Sequence, residues 1–295
     1  GGCSWWRGCR RSWSSAGSGS PAGSRGACRE AFVASSYIGR TRAEGTTMKV
    51  ISGEQSNGAK IMEDYKSRKW GRMFVTRTPT PYPGEPWGFD NGAFGAWLRQ
   101  RPFPAYDFEH RLIGLEQAPE PPYLAVLPDI VGQGLWSLEF SLGYLDKVPP
   151  APWYLVAQDG MVVNDVRPVL IEHPEIVGIF LGGTTRFKET AAAWARLARR
   201  TGVQFHYGRA GVLRRIYHAR RICANSLDSA FPLWTKERFS IFVSALESDE
   251  SSLRLMLQPI QQTLFPLLPE DADFAEELLH HISMHFVRGT VGCSS

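Results

Sequence analysis

Cysteine is scarce in this sequence, and the few cysteines form no recognisable pattern. The chain has five cysteines among 295 residues, at positions 3, 9, 28, 223 and 293. They include no Cys-x-x-Cys pair and no spacing with histidine that is typical of a zinc site. We therefore predict a reducing, cytoplasmic setting and no bound metal, and we expect Cys223 to be a small buried apolar residue within a strand.

Long apolar runs and a strong charge of one sign are also missing. No run approaches the roughly 20 apolar residues that cross a bilayer, so we expect a soluble protein without a membrane partner. The net charge is +4, from 33 basic and 29 acidic residues. Residues 1–47 hold seven arginines and two glutamates, which leaves 26 basic and 27 acidic residues in the rest of the chain. Any contact with nucleic acid must therefore come from a local basic patch.

Motifs of several enzyme classes are absent too. The sequence has no Gly-x-Ser-x-Gly elbow, no P-loop and no His-Glu-x-x-His motif. Serine hydrolases of the elbow type, P-loop NTPases and zincins are therefore not supported. His281 and His285 are four residues apart, but no further ligands of the usual kind accompany them, so we interpret them as ordinary surface or packing histidines.

What the sequence does contain is eight short apolar runs with the length and composition of β-strands. They are Lys49–Ile51, Arg72–Val75, Trp87–Phe89, Tyr123–Leu127, Trp153–Ala157, Val177–Leu181, Val203–Tyr207 and Cys223–Leu227. A polar or glycine group follows each of the last six runs. We therefore predict the α/β class and a TIM-like (β/α)8 barrel, because that fold places the carboxyl ends of all its strands on one functional face.

Helical periodicity lies between several of these runs. It predicts helices over Ala59–Lys69, Gln133–Leu145, Phe187–Arg200 and Gly211–Ile222, with Thr185 as the N-cap of the third. The proline-rich segment 78–86 is incompatible with a helix or a central strand, so we predict a loop there.

Composition divides the chain into three segments. Residues 1–47 are rich in Gly, Ser and Arg, and we interpret them as a disordered or non-native leader, with a basic arm that contacts nucleic acid as the alternative. Residues 48–230 form the predicted catalytic barrel. In residues 231–295 the alternation of strand and helix stops, and we expect extra C-terminal helices packed on the barrel, the last near Asp273–Val287.

Three carboxylates stand at the ends of different predicted strands: Asp90, Asp129 and Asp228. Paired carboxylates on one face suit the chemistry of a glycosidic bond, where one attacks or stabilises the anomeric carbon and another moves a proton. The alternative is that each aspartate caps a loop or helix. The segment Gly182–Thr185, between a strand and a helix, is either a tight turn or a loop whose amides approach an anionic or carbonyl ligand.

A group of arginines accompanies the seventh strand–helix unit. Arg209, Arg214 and Arg215 lie next to the predicted functional face. They are either a solvated basic surface or contacts to a phosphate backbone.

The order of these motifs between residues 74 and 228 resembles the tRNA-guanine transglycosylase superfamily. It is most similar to the DpdA-like branch of phages and bacteria, which inserts 7-deazaguanine bases into DNA. The segments that carry the resemblance are Phe89–Phe94, Val126–Asp129, Leu155–Gly160, Phe180–Thr185, Tyr207–Arg209 and Ala224–Ser229. They cover about half of the chain.

The resemblance implies an enzyme, a pentosyltransferase, and gives each residue a role. Asp228 would be the nucleophile on the anomeric carbon, and Asp90 would transfer the proton. Asp129 and Gln158 would recognise the base, together with three neighbours: Asn91, Gly182 and Gly183. Arg209, Arg214 and Arg215 would contact the nucleic-acid backbone, and the target nucleotide would have to leave its stack.

One departure from the tRNA enzymes bears on the substrate. Those enzymes carry a cysteine-rich zinc site after the nucleophile strand, whereas this sequence has no cysteine between Cys223 and Cys293. We therefore expect neither zinc nor another cofactor, and DNA rather than tRNA as the polymer partner, with helper proteins that open the strands. The alternatives are the same reaction on tRNA, a non-catalytic nucleic-acid-binding barrel, and a sugar-phosphate enzyme that uses Gly182–Thr185 as its phosphate site.

Overall fold

A computed structural model describes residues 48–53 and 68–247. Eight parallel strands form a closed barrel in which each strand pairs with its neighbours in chain order and the last pairs with the first. The strands are β1 (Lys49–Gly53), β2 (Gly71–Phe74), β3 (Gly88–Phe89), β4 (Leu124–Val126), β5 (Trp153–Ala157), β6 (Ile176–Leu181), β7 (Gln204–Tyr207) and β8 (Ser226–Asp228). The predicted (β/α)8 barrel is confirmed, and each of the eight apolar runs contains or overlaps one strand.

The strands are short and almost wholly buried because each is covered on both faces, as parallel strands require. A small apolar cluster fills the inside of the barrel and includes Ile51, Val126 and Tyr154. A larger one lies between the strands and the surrounding helices. Gly178 on β6 makes room for Tyr154, since a Cβ atom there would lie 2.3 Å from the tyrosine ring.

Eight α-helices lie in the described part of the chain. They are α1 (Ala93–Leu98), α2 (Ala105–Glu116), α3 (Leu135–Leu142), α4 (Val163–Glu172), α5 (Thr185–Lys188), α6 (Ala191–Thr201), α7 (Leu213–Arg221) and α8 (Lys236–Glu247). Two short 3-10 helices, Leu145–Lys147 and Phe231–Leu233, accompany them.

Three of the predicted helices are present with corrected bounds. The periodic segments 133–145 and 211–222 correspond to the shorter α3 and α7, and segment 187–200 belongs to two helices, α5 and α6. The N-cap of α5 is Thr184, and not Thr185 as predicted, because Thr184 has an extended backbone and its side chain accepts a hydrogen bond from the Phe187 amide. The segment 78–86 contains no helix or strand, as predicted. Most of the predicted helix 59–69 lies outside the described residues.

The prediction for Cys223 is wrong. The residue precedes β8, in the turn after α7, with a φ of 57°, and its side chain is exposed. The strand begins only at Ser226, so the neighbouring Ala224 provides the buried contact that we expected of the cysteine.

The barrel closes between its first and last strands. Ile51 of β1 is in register with Asp228 of β8, and the Ser52 hydroxyl donates a hydrogen bond of 2.5 Å to the Ser229 carbonyl. Helix α8 packs on α7 and on the 3-10 helix Phe231–Leu233, and its fully buried Phe242 meets Trp70 edge to face. Extra helical structure after β8 is therefore present up to residue 247.

Within the described ranges, none of the helices has both the length and the apolar character needed to span a bilayer. The predicted leader 1–47, the predicted helix near 273–287, and the histidines at 281 and 285 lie outside the described residues.

Candidate active site

A cavity of about 290 Å³ opens at the carboxyl ends of the strands. Its apolar walls include Met73, Val126, Val156 and Phe180. Nine of the ten residues predicted for the site line it: Asp90, Asn91, Asp129, Gln158, Gly182, Gly183, Arg209, Arg215 and Asp228. The tenth, Arg214, is exposed on α7 and is not part of the wall.

Asp228 ends β8 with its carboxylate on the cavity wall. One oxygen, Oδ1, accepts hydrogen bonds from His206 Nε2 at 2.9 Å and from the Arg209 amide at 2.8 Å. Neither bond involves Oδ2, for which the described part of the chain offers no hydrogen-bond donor. The carboxylate is therefore oriented through one oxygen and presents the other to a ligand.

The partner His206 is a site residue that our sequence analysis missed. It lies on β7, has no exposed surface, and stacks on Phe180 with 4.6 Å between ring centroids. Its Nδ1 lies 2.8 Å from the Ser226 hydroxyl. The available signal was a histidine in the middle of a short apolar strand, where a polar ring needs a buried partner.

Asp90 follows β3 and faces the same cavity. Its Oδ1 accepts a hydrogen bond from the Gly92 amide at 2.6 Å, and its carbonyl accepts one from Arg111 at 2.9 Å. Burial raises the pKa of Asp90, and the nearby charge of Asp228 acts in the same direction, whereas Arg111 and Arg209 oppose it. Asp90 is therefore a carboxyl group that retains a proton more readily than an exposed aspartate does.

Asp129 follows β4 and is held by two side-chain amides. Asn91 Nδ2 donates to Oδ1 at 2.7 Å, and Gln158 Nε2 donates to Oδ2 at 3.1 Å. Burial nevertheless raises the pKa of Asp129 to about 7, with the charge of Asp90 adding to the rise. The side chain therefore titrates close to neutral pH.

The two amides that hold Asp129 are themselves fully engaged. Gln158 Nε2 also donates to Ser137 Oγ at 2.6 Å, and its Oε1 accepts from the Gly132 amide at 2.6 Å. Asn91 donates to the Leu127 carbonyl and accepts from the Ala93 amide. In this structure Gln158 and Asn91 thus position Asp129, and the carboxylate is the group that they present to the cavity.

The segment Gly182–Thr185 connects β6 to α5. Gly183 has a φ of +77°, and a Cβ atom there would lie 2.7 Å from Asp159 Oδ2. The amide and the hydroxyl of Thr184 bind the Asp159 carboxylate at 2.7 and 2.6 Å. A carboxylate already occupies these donors, so the loop lacks the vacant amides that a phosphate site at Thr184 requires.

Gly182 and Gly183 differ in what their amides can do. The Gly182 amide donates to the Ala157 carbonyl and so extends the barrel's own hydrogen bonding. Across the described segments, the Gly183 amide has no acceptor. Of these two amides, only that of Gly183 is therefore available to a ligand.

Arg209 connects the two halves of the cavity. Its guanidinium lies 3.9 Å above the ring of Phe94 and donates to the Gly183 carbonyl at 2.9 Å. Its backbone has a φ of +50°, an uncommon conformation for a side chain with a Cβ. The Arg209 carbonyl accepts hydrogen bonds from the buried Arg215 at 3.1 Å and from Lys188 at 3.5 Å, which hold this conformation.

In residues 48–53 and 68–247, no group of three or more His, Cys, Asp or Glu side chains is placed to hold a metal ion. No protein-family model, curated protein or solved structure matches the chain.

Proposed function

We propose that this protein is a transglycosylase that exchanges guanine in DNA for a 7-deazaguanine base, such as the 7-cyano form, through a covalent bond between Asp228 and the sugar. One observation carries the proposal: the Asp228 carboxylate is oriented through Oδ1 and shares its cavity with a second carboxyl group, Asp90, whose pKa is raised. A fixed carboxylate that shares a cavity with a second carboxyl group able to give up a proton is the arrangement that a retaining reaction at an anomeric carbon uses.

In the first step, Asp228 Oδ2 attacks C1′ of the target nucleotide. The new C1′–oxygen bond forms as the bond from C1′ to the base nitrogen breaks, and its electron pair stays on the departing guanine. Asp90 donates its proton to that guanine. His206 and the Arg209 amide stabilise the reacting carboxylate through Oδ1 and hold it in the geometry of attack.

In the second step, the ionised Asp90 accepts the ring N–H proton of the incoming 7-deazaguanine. The deprotonated nitrogen attacks C1′ and displaces Asp228, which regenerates the free carboxylate. Because each step inverts the anomeric carbon, the exchanged nucleotide keeps its original configuration. No external oxidant, metal or nucleotide is needed.

The remaining polar groups of the cavity suit a guanine-like base. Asp129 offers an acceptor to the N–H groups of the base's pairing edge, and the Gly183 amide offers a donor to its carbonyl oxygen. Apolar side chains such as Val126, Val156 and Phe180 supply apolar contacts for the ring. The roles of Gln158 and Asn91 are then indirect, through Asp129.

The size of the cavity limits how a polymer can use it. A volume of about 290 Å³ is at the lower end of ordinary ligand sites and accepts one nucleotide, not a duplex. The target must therefore be extruded from a duplex or come from an unpaired strand. The same reaction on tRNA is the competing proposal, and a comparison of the two polymers separates them.

The sugar-phosphate alternative has less support. Its phosphate site would use the amides of segment 182–185, and the Asp159 carboxylate occupies the amide of Thr184 together with the Thr184 hydroxyl. The helix that follows, α5, has only four residues and adds little positive potential.

A labelled-base assay tests the proposal. The full chain is incubated with radiolabelled 7-cyano-7-deazaguanine and, separately, with single-stranded DNA, duplex DNA or tRNA. We expect label in DNA with the wild type and none with Asp228→Asn, whereas Asp146→Asn, an exposed aspartate after α3, should behave as the wild type. Denaturing electrophoresis should show a DNA–protein adduct that Asp228→Asn lacks. Label in tRNA alone would refute DNA as the substrate, and label with Asp228→Asn would refute the mechanism.

A further inference from the structure

One stretch of the chain is basic without any opposing charge. Between Glu189 and Asp228 the sequence has eight arginines and no lysine, aspartate or glutamate. Helices α6 and α7 belong to this stretch. Residues 48–295 as a whole carry 26 basic and 27 acidic residues, so the positive charge is concentrated on this side of the barrel.

Four of the eight arginines serve the fold or the cavity. Arg209 and Arg215 hold the loop at the cavity. Arg220 donates to a carbonyl of α8 at 2.7 Å, and Arg199 donates to the Ile222 carbonyl at 3.0 Å. The bond of Arg199 links the end of α6 to the end of α7, so the outer surfaces of the two helices lie side by side.

The other four arginines are exposed on the outer surfaces of these two helices. Arg196 and Arg200 are four residues apart on α6, and Arg214 and Arg221 are seven residues apart on α7. Residues with these spacings lie on one side of a helix. Across residues 48–53 and 68–247, none of the four guanidinium groups makes a hydrogen bond or an ion pair. We call Arg196, Arg200, Arg214 and Arg221 the arginine face.

A histidine of α7 reports the positive charge at this surface. His218 lies between Arg214 and Arg221 in the chain and is half-buried. Burial lowers the pKa of His218, and the positive charges of Arg221 and Arg214 lower it further. Neither α6 nor α7 contains a carboxylate that would offset these charges. The surface therefore favours an anionic ligand.

The arginine face begins at the mouth of the cavity. Val212 and Arg215, close to Arg214 in the chain, both line the cavity. From there α7 runs back toward the amino-terminal ends of the strands, and Arg221 is its last residue. Seven residues of helix cover about 10 Å, the length of about three base pairs of a duplex. A polymer that places one nucleotide in the cavity can thus extend its neighbouring phosphates along this surface.

We infer that the arginine face binds the phosphate backbone of DNA beside the nucleotide that enters the cavity. The choice of DNA rests on the proposed function, whereas the charge and the exposure of the face do not depend on it. Arginine suits this role, because its guanidinium stays charged and its planar donor groups match the oxygens of a phosphate.

The lack of apolar anchors on these helices favours a phosphate backbone over a protein or a membrane. Within the described segments, none of the large hydrophobic side chains that are exposed belongs to α6 or α7. Protein interfaces depend on central aromatic or aliphatic anchors, and helices that lie on a membrane insert such side chains into the lipid. A phosphate backbone, in contrast, is held largely by charge.

The salt dependence of DNA binding tests the inference. The probe is a short fluorescent DNA duplex, and its binding is followed by anisotropy on the full chain carrying Asp228→Asn, so that no exchange occurs. Each phosphate contact contributes about 0.9 to the slope of log Kd against log salt concentration between about 50 and 200 mM. We therefore expect this slope to fall by roughly 3 to 4 in a variant that combines Arg196→Gln, Arg200→Gln, Arg214→Gln and Arg221→Gln.

Single substitutions supply the matched control. Arg214→Gln alone should lower the slope by about one. Lys147→Gln removes the same charge from an exposed residue of the 3-10 helix that precedes β5, away from α6 and α7, and should leave the slope unchanged. Thermal unfolding of all variants should match that of the parent protein, because glutamine is a good helix former at an exposed position.

The outcomes distinguish this inference from the proposed function. If the wild-type protein exchanges base but the four-fold variant keeps the slope, the arginine face is refuted and the function stands. If the slope depends on the face but the wild-type protein exchanges no base, the function fails and the face stands. Loss of binding to tRNA or to phosphatidylserine vesicles, with DNA binding unchanged, would overturn DNA as the occupant.

Discussion

His206 Nε2 lies 2.9 Å from Asp228 Oδ1, across the seam between β7 and β8. The register explains this contact, since His206 is paired with Ser226 and the side chains of Ser226 and Asp228 project from the same face of their strand. The imidazole can thus reach both, with Nδ1 at the Ser226 hydroxyl. Because an ionised Asp228 only accepts hydrogen bonds, Nε2 is the donor in the bond to Oδ1.

Removal of this imidazole should impair catalysis more than substrate binding. We expect His206→Ala to lower kcat of base exchange by roughly 100-fold, because Asp228 loses one of the two donors that orient it. His206→Gln keeps a donor within reach of Oδ1 and should recover part of the loss. Thermal unfolding of both variants controls for the cavity left in the core, and an unchanged adduct yield in His206→Ala would contradict the assigned role.

The release of guanine should slow as the pH rises. Asp90 must carry a proton to act as the acid, and burial raises its pKa, so the acid form is lost as the pH increases through that raised value. Single-turnover release without an incoming base isolates this step. Asp90→Asn should reduce the release rate by roughly 10²- to 10⁴-fold and remove the alkaline limb of the profile. If the wild-type release rate increased with pH instead, the proton donated to guanine would come from a group other than Asp90.

Stability should fall with increasing pH for a related reason. The folded-state pKa of Asp129 is about 7 against an ordinary value of 3.8, so between these values the folded state binds more protons than the unfolded state. The free energy of unfolding should therefore decrease by roughly 2 to 3 kcal/mol between pH 5 and pH 8, and level off above the folded pKa. Urea unfolding across this range measures the slope, which should be smaller in Asp129→Asn. If Asp129→Asn leaves this slope unchanged, a group other than Asp129 binds the proton responsible for it.

Two glycines provide a matched test of the loop at the cavity. Gly183 and Gly202 have almost the same φ, +77° and +75°, but a Cβ atom at Gly183 meets Asp159 and Phe187 at 2.7 Å, whereas nothing lies within 4 Å of one at Gly202. Gly202→Ala should destabilise the fold by roughly 1 kcal/mol and leave base exchange intact. Gly183→Ala should be more destabilising and should weaken base binding, because the loop must shift. Equal effects of the two substitutions on stability and on base binding would exclude a special role for this loop.

The fold was accessible from the sequence because its strands are short, apolar and regularly spaced. Three helices were missed for identifiable reasons. Helix α1 begins directly after the Asp-Asn-Gly segment, which reads as a loop, and its N-cap Gly92 has a left-handed backbone. Helix α4 contains Pro168, a residue that normally argues against a helix. Helix α2 follows a proline and has no capping side chain.

The candidate site could be predicted only in part from the sequence. Aspartates at strand ends could be placed on one face from topology alone, and the cavity contains all three. The bonds among them could not be placed, because they depend on register: His206 reaches Asp228 only because Ser226 lies opposite it. Likewise, Gln158 seemed free to bind a base, whereas Ser137, which comes from a helix 21 residues earlier in the chain, engages its amide.

Because β1 pairs with β8, the barrel cannot close until its last strand has been made. The partner of β1, with Asp228 and the Ser229 carbonyl that binds Ser52, leaves the ribosome 177 residues later than β1 does. Until then β1 and the strand made most recently are both open sheet edges, which invite pairing with other chains. Before β8 is made, the nascent chain is therefore an unclosed sheet without Asp228, and we expect products truncated there to aggregate and to lack exchange activity.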